Sequence, residues 1–244
     1  GYDPEPGSLK ALLNVRGNSL FDKIAEELDV EFIRNGSITL ANTLEEVEIL
    51  DSLVERAKAN GVLVKVLNHD ELKKVEPSIT DKVIKGLLAP SCGIINPFEL
   101  VVASMENAMD NGVKLHLLEE VKSINKKDNK FIVKTNKSSY ETKYVINCAG
   151  VHSDEVSEMV NEKYFTINPR RGEYFVLDHF DNSYVKHVLF NVPSSKGKGV
   201  LVSPTTNYNY LVGPSSEYVD DKEDVSTDKE TLDLVKQNAY SLVD

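Results

Sequence analysis

The chain contains no tryptophan and only two cysteines, Cys92 and Cys148, among its 244 residues. Two cysteines are too few to cross-link a chain of this length, so we expect reduced thiols and a cytoplasmic protein. No apolar run approaches the roughly 20 residues that a membrane-spanning helix needs, so no transmembrane segment is expected. Basic residues are also scarce, 28 against 39 acidic ones, and the net charge of -11 argues against nucleic acid as a partner.

The sequence opens at Gly1 without a methionine, and a turn rich in proline and glycine (DPEPG) follows at once. Such a turn is typical of a connection between elements. We therefore expect the chain to be an internal portion of a longer protein. Because 41% of its residues are apolar, it can still bury a core large enough for one big domain or two small ones.

Four helix starts are indicated by residues whose side chains cap free backbone amides. They are Ser8, Thr43 (with Glu46), Asn96 (with Pro97 and Glu99) and Thr227 (with Glu230). After Ser8, apolar residues recur at steps of three and four, which predicts an amphipathic helix with one buried face.

Segments rich in β-branched and aromatic residues predict strands between these helices. They cover residues 30–40, 62–67, 83–89, 114–124, 130–134 and 140–147, with a further β-type region over 164–212. The strand predicted at 140–147 runs into Cys148-Ala149-Gly150, and a helix is expected to start at residues 153–154. A strand, a tight turn and a helix in this order are typical of elements that line nucleotide sites.

Two motifs have simpler explanations than a ligand site. The segment Gly197-Lys198-Gly199 precedes a strand instead of a helix, so it is interpreted as a turn and not as a dinucleotide fingerprint. Cys148 and His152 could supply two metal ligands, but a structural zinc needs four. A buried thiol beside a histidine near the start of a helix is the favoured interpretation, and no metal site is predicted.

Two further patterns carry little information by themselves. Arg170 and Arg171 could bind a carboxylate or a phosphate, but a surface salt bridge is the favoured interpretation from the residues alone. The alternation of asparagine and tyrosine over residues 207–210 is more typical of an ordinary sheet face than of a ligand platform. Motifs alone therefore predict only a soluble α/β protein.

Four segments taken together resemble the FAD-dependent oxidoreductase superfamily that includes the D-amino-acid oxidases. Within it, they are most similar to the glycerol-3-phosphate dehydrogenase and L-2-hydroxyglutarate oxidase branch. The segments are residues 1–10 (GYDPEPGSLK), 93–100 (GIINPFEL), 145–150 (VINCAG) and 169–174 (PRRGEY). The resemblance covers nearly the whole chain, and the ordered set is specific although each segment alone is weak.

The resemblance implies a mixed α/β fold. We expect a substrate domain with a large mixed or antiparallel sheet covered by helices on one side, beside a partial, Rossmann-like three-layer remnant of an FAD-binding domain. The remnant is expected at residues 1–40 and 80–150, and the substrate domain at 41–79 and 151–244. The sequence has no Gly-x-Gly-x-x-Gly turn to hold the FAD pyrophosphate, so this chain alone is expected neither to retain FAD nor to be active.

The same resemblance assigns candidate site residues. Those near FAD would be Val121, Cys148, Ala149, Gly150 and Gly213, and those that could meet an anionic substrate are Arg171 and Tyr174. A general base is not identifiable from the sequence. The candidates by residue type are His69, His116, His152, His179 and His187.

The activity that the resemblance implies is oxidation of glycerol 3-phosphate to dihydroxyacetone phosphate. The substrate would be a small anionic alcohol, and the electrons would pass to a separate acceptor. A 2-hydroxy acid such as 2-hydroxyglutarate is the alternative substrate. The hypothesis from another class is a non-catalytic α/β module for binding or assembly, since a shared fold does not by itself imply a shared activity.

Overall fold

A computed structural model describes residues 2–161, 163–179, 184–193 and 199–243 of the chain. Six α-helices lie within these ranges: α1 Leu9–Leu28, α2 Leu44–Ala59, α3 His69–Val75, α4 Pro97–Asp110, α5 Ser153–Glu158 and α6 Lys229–Ala239. A short 3₁₀ turn, Gly150–His152, precedes α5. None of the helices in the described part of the chain is long and apolar enough to cross a membrane.

Fourteen strands lie in the same ranges. They are β1 Phe32–Ile33, β2 Ser37–Ala41, β3 Lys65–Asn68, β4 Lys85–Ala89, β5 Ile94–Ile95, β6 Val121–Lys127, β7 Lys130–Thr135, β8 Ser139–Thr142, β9 Arg170–Arg171, β10 Phe175–Leu177, β11 Val188–Asn191, β12 Leu201–Pro204, β13 Tyr210–Gly213 and β14 Glu217–Tyr218.

The chain forms two compact units. Unit 1 comprises residues 1–108, 172–216 and 227–244, and unit 2 comprises residues 109–171 and 217–226. These boundaries differ from the ranges expected from the sequence, and the assignment of those ranges to FAD or to substrate stays a prediction. The turn expected at Gly197 and Lys198 lies outside the described residues.

Unit 1 is built on a seven-stranded sheet with the order β10-β13-β12-β11-β2-β4-β3. Strand β11 runs parallel to β2, and the other neighbours in the sheet are antiparallel. The mixed α/β fold expected from the sequence is therefore confirmed. The parallel pair joins segments about 150 residues apart along the chain, with Val188 opposite Ser37.

Helices cover both faces of this sheet, so the expectation of helices on one side only was wrong. All five residues of β2 are buried, and successive side chains of a strand point to opposite faces. Ile38 and Leu40 pack in one apolar cluster with residues of α3 and α6. Ala41 packs in a second cluster with Leu50 and Leu53 of α2. A strand buried on both sides needs a layer on each face.

The buried face expected for α1 is confirmed only for its second half, where Ala25 is buried and Phe21, Ile24 and Leu28 are partly buried. Its buried residues are Ala11 and Ala25, while Leu9 and Leu12 are 69% and 63% exposed. The helix contacts the rest of unit 1 through the Phe21 ring, whose centroid lies 5.4 Å from that of Phe32, and through polar side chains. Arg34 donates through Nε to Asp22 Oδ1 at 2.9 Å and through Nη2 to the Asn18 carbonyl at 2.9 Å. Apolar periodicity predicted the helix correctly but not what covers it.

Unit 2 contains the antiparallel sheet β6-β7-β8 and the short pair β9-β14. The strand expected over residues 140–147 ends early, at Thr142. Tyr144 and Ile146 are 82% and 86% exposed, and no described strand pairs with residues 143–149. An apolar segment is a strand only when a neighbour accepts its backbone hydrogen bonds, so the pattern overestimated its length.

Three of the four predicted helix caps are confirmed. Ser8 Oγ accepts the amide of Ala11 at 3.2 Å, and Thr43 Oγ1 accepts the amide of Glu46 at 3.2 Å. Asn96 caps α4 in the same manner. The fourth cap is Asp228 and not Thr227, because Asp228 Oδ1 accepts the amide of Thr231 at 2.8 Å. Both residue types cap helices, so the sequence located this start only to within one residue.

Candidate functional site

A cleft of about 530 Å³ lies in unit 1 between residues 93–98 and the end of the β12-β13 hairpin. We call it the polar cleft. Its lining residues are Gly93, Ile94, Ile95, Asn96, Pro97, Phe98, Ser203, Pro204, Thr205, Thr206, Asn207, Asn209 and Leu211. One wall is thus the segment GIINPF, which is part of the resemblance described above. The lining combines apolar walls with several hydrogen-bonding side chains, as in typical small-molecule sites.

The GIINPF wall is positioned by close packing and by a helix cap. Strand β5 pairs with β1, and a Cβ atom on Gly93 would lie 2.5 Å from the ring of Phe32, so only glycine fits there. Asn96 then ends the strand segment and caps α4. Its Oδ1 accepts the amides of Phe98 at 3.0 Å and Glu99 at 3.4 Å. Because these amides are already bonded, the start of α4 does not offer them to an anion.

The hairpin wall is held by a tight turn. Tyr208 adopts a left-handed conformation with φ of 63°, and the amide of Thr205 donates to the Asn209 carbonyl at 3.0 Å. Ser203 and Thr206 are buried, at 8% and 5% exposure. Their hydroxyls donate within the hairpin, Ser203 to the Pro204 carbonyl at 2.8 Å and Thr206 to Asn207 Oδ1 at 3.2 Å.

Sequence reasoning missed the polar residues of this cleft. Asn96 was predicted as a helix cap only, and residues 207–210 were interpreted as an ordinary sheet face. The structure shows that the alternation has a direction, since Tyr210 is 2% exposed in the main core while Asn209 lines the cleft. The available signal was the position of Asn209 next to the aromatic strand residue Tyr210, because successive side chains of a strand point to opposite faces.

A second cavity in unit 1, of about 590 Å³, lies between α6 and the sheet. Its lining is apolar and aromatic apart from Lys236 and the tyrosine hydroxyls. None of its residues belongs to the four segments that carry the resemblance. The polar cleft is therefore the better candidate for a small, hydrogen-bonding substrate, although it is the smaller of the two cavities.

Arg171 lies in unit 2 in an ion pair. Its Nη1 donates to Asp224 Oδ2 at 2.7 Å and to Ser226 Oγ at 2.7 Å, and the Arg171 side chain is 15% exposed. Hydrogen bonds from Ser226 and the nearby Arg171 lower the pKa of Asp224. This geometry matches the salt bridge that the residues alone favoured. A role of Arg171 toward an anionic substrate stays a prediction.

Tyr174 lies in unit 1 and is 43% exposed. Partial burial raises the pKa of Tyr174 above its ordinary value. Its ring lies against Gly213, where a Cβ atom would be 2.7 Å from Tyr174 Cδ1. Packing against Tyr174 thus accounts for the glycine at position 213, and the predicted approach of Gly213 to a flavin stays a prediction.

The other residues predicted to lie near FAD are all in unit 2. Val121 begins β6, and Cys148 is exposed, so the expected buried thiol was wrong. The stretch around it is accessible because no described strand covers residues 143–149. Gly150 has φ of 56°, and a Cβ atom built on it would meet nothing within 4 Å. The backbone at Ala149 and Gly150 therefore leaves room for a ligand to approach.

A charged cluster follows Gly150, and we call it the carboxylate clasp. Buried Asp154 receives Lys222 Nζ at 2.6 Å and the amide of Ile167 at 2.9 Å. His152 lies between two carboxylates, 3.0 Å from Glu155 and 2.6 Å from Glu223. A histidine bonded to two carboxylates in this way is a poor partner for Cys148 in a metal site. No group of three metal-binding side chains occurs among the residues the structure describes.

The carboxylate clasp predicts how the stability of unit 2 depends on pH. The backbone hydrogen bond from Ile167 and the hydrogen bond from Lys222 lower the pKa of Asp154 from 3.8 to about 2. Hydrogen bonds to Glu223 and Glu155 raise the pKa of His152 above 6.5. The Asp154 contribution is therefore present above pH 3.8 and lost as the pH falls toward about 2. The His152 contribution is present below pH 6.5 and lost as the pH rises through the raised pKa.

Amide hydrogen exchange of residues 150–158 across this pH range would measure both effects. Asp154→Asn should remove the loss of protection on the acid side only, and His152→Gln should remove it on the alkaline side only. Each variant thus serves as the control for the other. If both sides keep their pH dependence in both variants, the clasp does not hold these residues.

None of the five histidines lines the polar cleft as the described residues form it. His69 Nδ1 lies 2.7 Å from the Val83 carbonyl, and His187 Nδ1 lies 2.8 Å from Glu76. His116 contacts Glu119 and Tyr140, and His152 belongs to the clasp. The lining includes no other ionisable side chain. A proton acceptor for an alcohol in this cleft would have to come from elsewhere in the protein.

The chain is similar in sequence to a glycerol 3-phosphate dehydrogenase and to L-2-hydroxyglutarate dehydrogenases. The chain is 42% identical over 240 residues to glycerol 3-phosphate dehydrogenase of Caloramator mitchellensis, covering 98% of this chain and 50% of that protein. It is 30% identical over 215 residues to L-2-hydroxyglutarate dehydrogenase of Escherichia coli, covering 86% of this chain and 50% of that protein. The chain thus spans about half the length of these curated relatives.

Solved structures share the fold. L-alpha-glycerophosphate oxidase of Mycoplasma pneumoniae, solved with FAD bound, superposes with a TM-score of 0.89 at 27% identity, covering 99% of this chain and 65% of that one. L-proline dehydrogenase from P. horikoshii superposes at 0.83 with 22% identity, which shows the fold alone. The family described as FAD dependent oxidoreductase (DAO) matches residues 1–244. This chain belongs to the FAD dependent oxidoreductase family.

Proposed function

We propose that this chain forms the substrate side of an FAD-dependent dehydrogenase that oxidises glycerol 3-phosphate to dihydroxyacetone phosphate. The observation that carries the proposal is the 42% identity to a glycerol 3-phosphate dehydrogenase over 98% of the chain. The structure of a glycerophosphate oxidase that covers 99% of the chain supports it. The polar cleft is a site of suitable size and chemistry for a small polyol phosphate.

The residues of unit 2 could lie beside part of FAD, but they do not provide a motif that binds its diphosphate. The accessible backbone at Cys148, Ala149 and Gly150 leaves room for a ligand, and we propose these residues and Val121 as its neighbours. The sequence has no Gly-x-Gly-x-x-Gly turn to hold a diphosphate. When bound, FAD supplies the acceptor for the hydride that leaves the carbon bearing the substrate hydroxyl.

The residues of the cleft would bind and orient the alcohol. The side chains of Ile94, Ile95 and Leu211 provide apolar walls, which favour a poorly hydrated site, and the hairpin provides fixed polar groups. Removal of a hydride requires that the hydroxyl proton also leaves. Because no ionisable group lines the cleft as described, we propose that the base is supplied from outside this set of residues.

The substrate phosphate requires a compensating charge, and Arg171 and Tyr174 remain the proposed contacts. Each is proposed separately: a guanidinium binds phosphate oxygens well, and a protonated phenol can donate to one. The ion pair with Asp224 occupies part of the Arg171 guanidinium in the structure. Reduction of a separate electron acceptor would complete the catalytic cycle.

A 2-hydroxy acid is the second candidate substrate. The 30% identity to L-2-hydroxyglutarate dehydrogenase over 86% of the chain favours it. Both substrates are small anions that bear a secondary hydroxyl, so the cleft can accept either by its chemistry. The hypothesis of a non-catalytic module predicts that neither compound is oxidised.

Steady-state assays of the full-length protein, loaded with FAD and supplied with an artificial electron acceptor, separate these hypotheses. We expect kcat/KM for glycerol 3-phosphate to exceed that for L-2-hydroxyglutarate. The opposite order would move the assignment to the hydroxy acid. Absence of turnover with both compounds, in protein that contains bound FAD, would favour the non-catalytic module.

A further inference from the structure

Three asparagines line the polar cleft, and two of them are only partly exposed. Asn96 and Asn209 are half-buried, whereas Asn207 is exposed at the rim. A side-chain amide has one acceptor oxygen and one nitrogen that can donate twice. The contacts of each oxygen therefore decide which group the amide can present to a ligand.

The oxygens of both half-buried amides are bonded within the protein. Asn96 Oδ1 accepts two backbone amides at the start of α4, which fixes its orientation since a nitrogen cannot accept them. Asn209 Oδ1 accepts the hydroxyl of Thr205. Thr205 Oγ1 itself accepts the amide of Asn207 at 3.1 Å, so its own proton is available for Asn209.

The nitrogens of these two amides have no hydrogen-bond partner among the described residues. The hydroxyls of Ser203, Thr205 and Thr206 already donate within the hairpin. The half-buried part of the cleft thus presents side-chain N–H donors and no charged group. A lining of this kind complements ligand atoms that only accept hydrogen bonds.

We propose that Asn96 and Asn209 bind oxygen atoms of the substrate through their Nδ2 groups and determine its specificity. The inference rests on the proposed function and deepens it. The ligand class is a small oxyanion, a phosphate ester or a carboxylate, whose oxygens accept hydrogen bonds without a proton to donate. Neutral amides hold such oxygens in place, while cations elsewhere in the protein compensate the charge.

The inference can be tested by exchanging the donors for acceptors without disturbing the fold. Asn96→Asp keeps the helix cap, because aspartate caps as well as asparagine. Asn209→Asp keeps an oxygen for the Thr205 hydroxyl. Both variants replace an NH₂ group by a negatively charged oxygen. Asn68→Asp is the matched control, since Asn68 caps α3 through its Oδ1 and does not line the cleft.

The variants are compared in the full-length, FAD-loaded enzyme with glycerol 3-phosphate, or with L-2-hydroxyglutarate if only that compound is oxidised. We expect KM to rise about 10- to 100-fold in Asn96→Asp and in Asn209→Asp, with a smaller change in kcat, because a donor to a charged oxygen is lost and repulsion is added. Asn96→Ser, which keeps a cap but has no amide, should raise KM by less. Asn68→Asp should behave as the wild type.

The experiment distinguishes failure of this inference from failure of the proposed function. If the wild-type enzyme turns over the substrate but KM in both cleft variants equals that of Asn68→Asp, Asn96 and Asn209 do not bind the substrate. The proposed function is unaffected by that result. If the wild type oxidises neither compound, both proposals are wrong. Should one cleft variant fail to fold in a thermal melt, the other and Asn96→Ser decide the matter by the same comparison.

Discussion

Replacing Glu76 by alanine is expected to lower the free energy of unfolding by about 3–5 kcal/mol. Glu76 is fully buried at the end of α3, and its carboxylate accepts three donors at the start of β11. These are the amides of Lys186 at 3.0 Å and His187 at 2.9 Å, and the ring Nδ1 of His187 at 2.8 Å. Alanine would leave all three donors without this acceptor.

The position of this contact explains why a large effect is expected. Strand β11 is the parallel partner of β2 in the centre of the seven-stranded sheet, and Glu76 fixes the residues that lead into it. An apolar side chain could not replace the carboxylate, because two of its partners are backbone amides that need an acceptor. By accepting two consecutive amides, the carboxylate of Glu76 therefore fixes the backbone that leads into β11.

Urea unfolding of the variants would measure the effect. Asp70→Ala is the control, since it removes an exposed carboxylate from the same helix and should change stability by no more than about 0.5 kcal/mol. Glu76→Gln should fall between the two, because one amide oxygen can still accept while its NH₂ group faces donors. If Glu76→Ala unfolds at the same urea concentration as Asp70→Ala, the contact does not stabilise the sheet.

Replacing Gly213 by alanine is the second change with a large expected effect, about 2–5 kcal/mol of destabilisation. Gly213 has φ of 147°, a conformation that residues with a side chain rarely adopt. A Cβ atom there would lie 2.7 Å from the Glu173 carbonyl oxygen and 2.7 Å from Tyr174 Cδ1. Since one of these atoms belongs to the backbone, a side-chain rotation cannot relieve the overlap.

Gly61→Ala is a matched control for Gly213→Ala. Gly61 also lies in unit 1 and has positive φ, 70°, but a Cβ atom on it would meet nothing within 4 Å. It should lose only the cost of the backbone conformation, about 1–2 kcal/mol. If Gly213→Ala costs no more than Gly61→Ala in the same denaturation experiment, the close approach to Glu173 and Tyr174 is not the reason for this glycine.

Local chemistry made part of the fold predictable. Ser8, Thr43 and Asn96 act on amides two or three positions away, so a short stretch of sequence contains both partners of each cap. The pairing of β11 with β2 joins residues that are distant in sequence and could not be derived in this way. The strand predicted over residues 140–147 ends at Thr142 for the same reason, because apolar composition does not show whether a partner strand is present.

The site was predictable only in its outline. The segment GIINPF was recognised through a resemblance, and the structure places it on the wall of the polar cleft. The amides of Asn96 and Asn209 were not recognised, because which end of an amide is available depends on contacts with α4 and with Thr205. Arg171, singled out for its charge, proved to be paired with Asp224, a contact across 53 positions of the chain.

We propose that this chain provides the substrate side of a flavin enzyme that oxidises glycerol 3-phosphate. The most direct test is to mix the FAD-loaded, full-length protein with glycerol 3-phosphate in the absence of oxygen and follow the visible absorption of the flavin. We expect the yellow colour to bleach as dihydroxyacetone phosphate forms in equal amount. Flavin that stays oxidised with glycerol 3-phosphate, yet is bleached by dithionite, would contradict the proposed function.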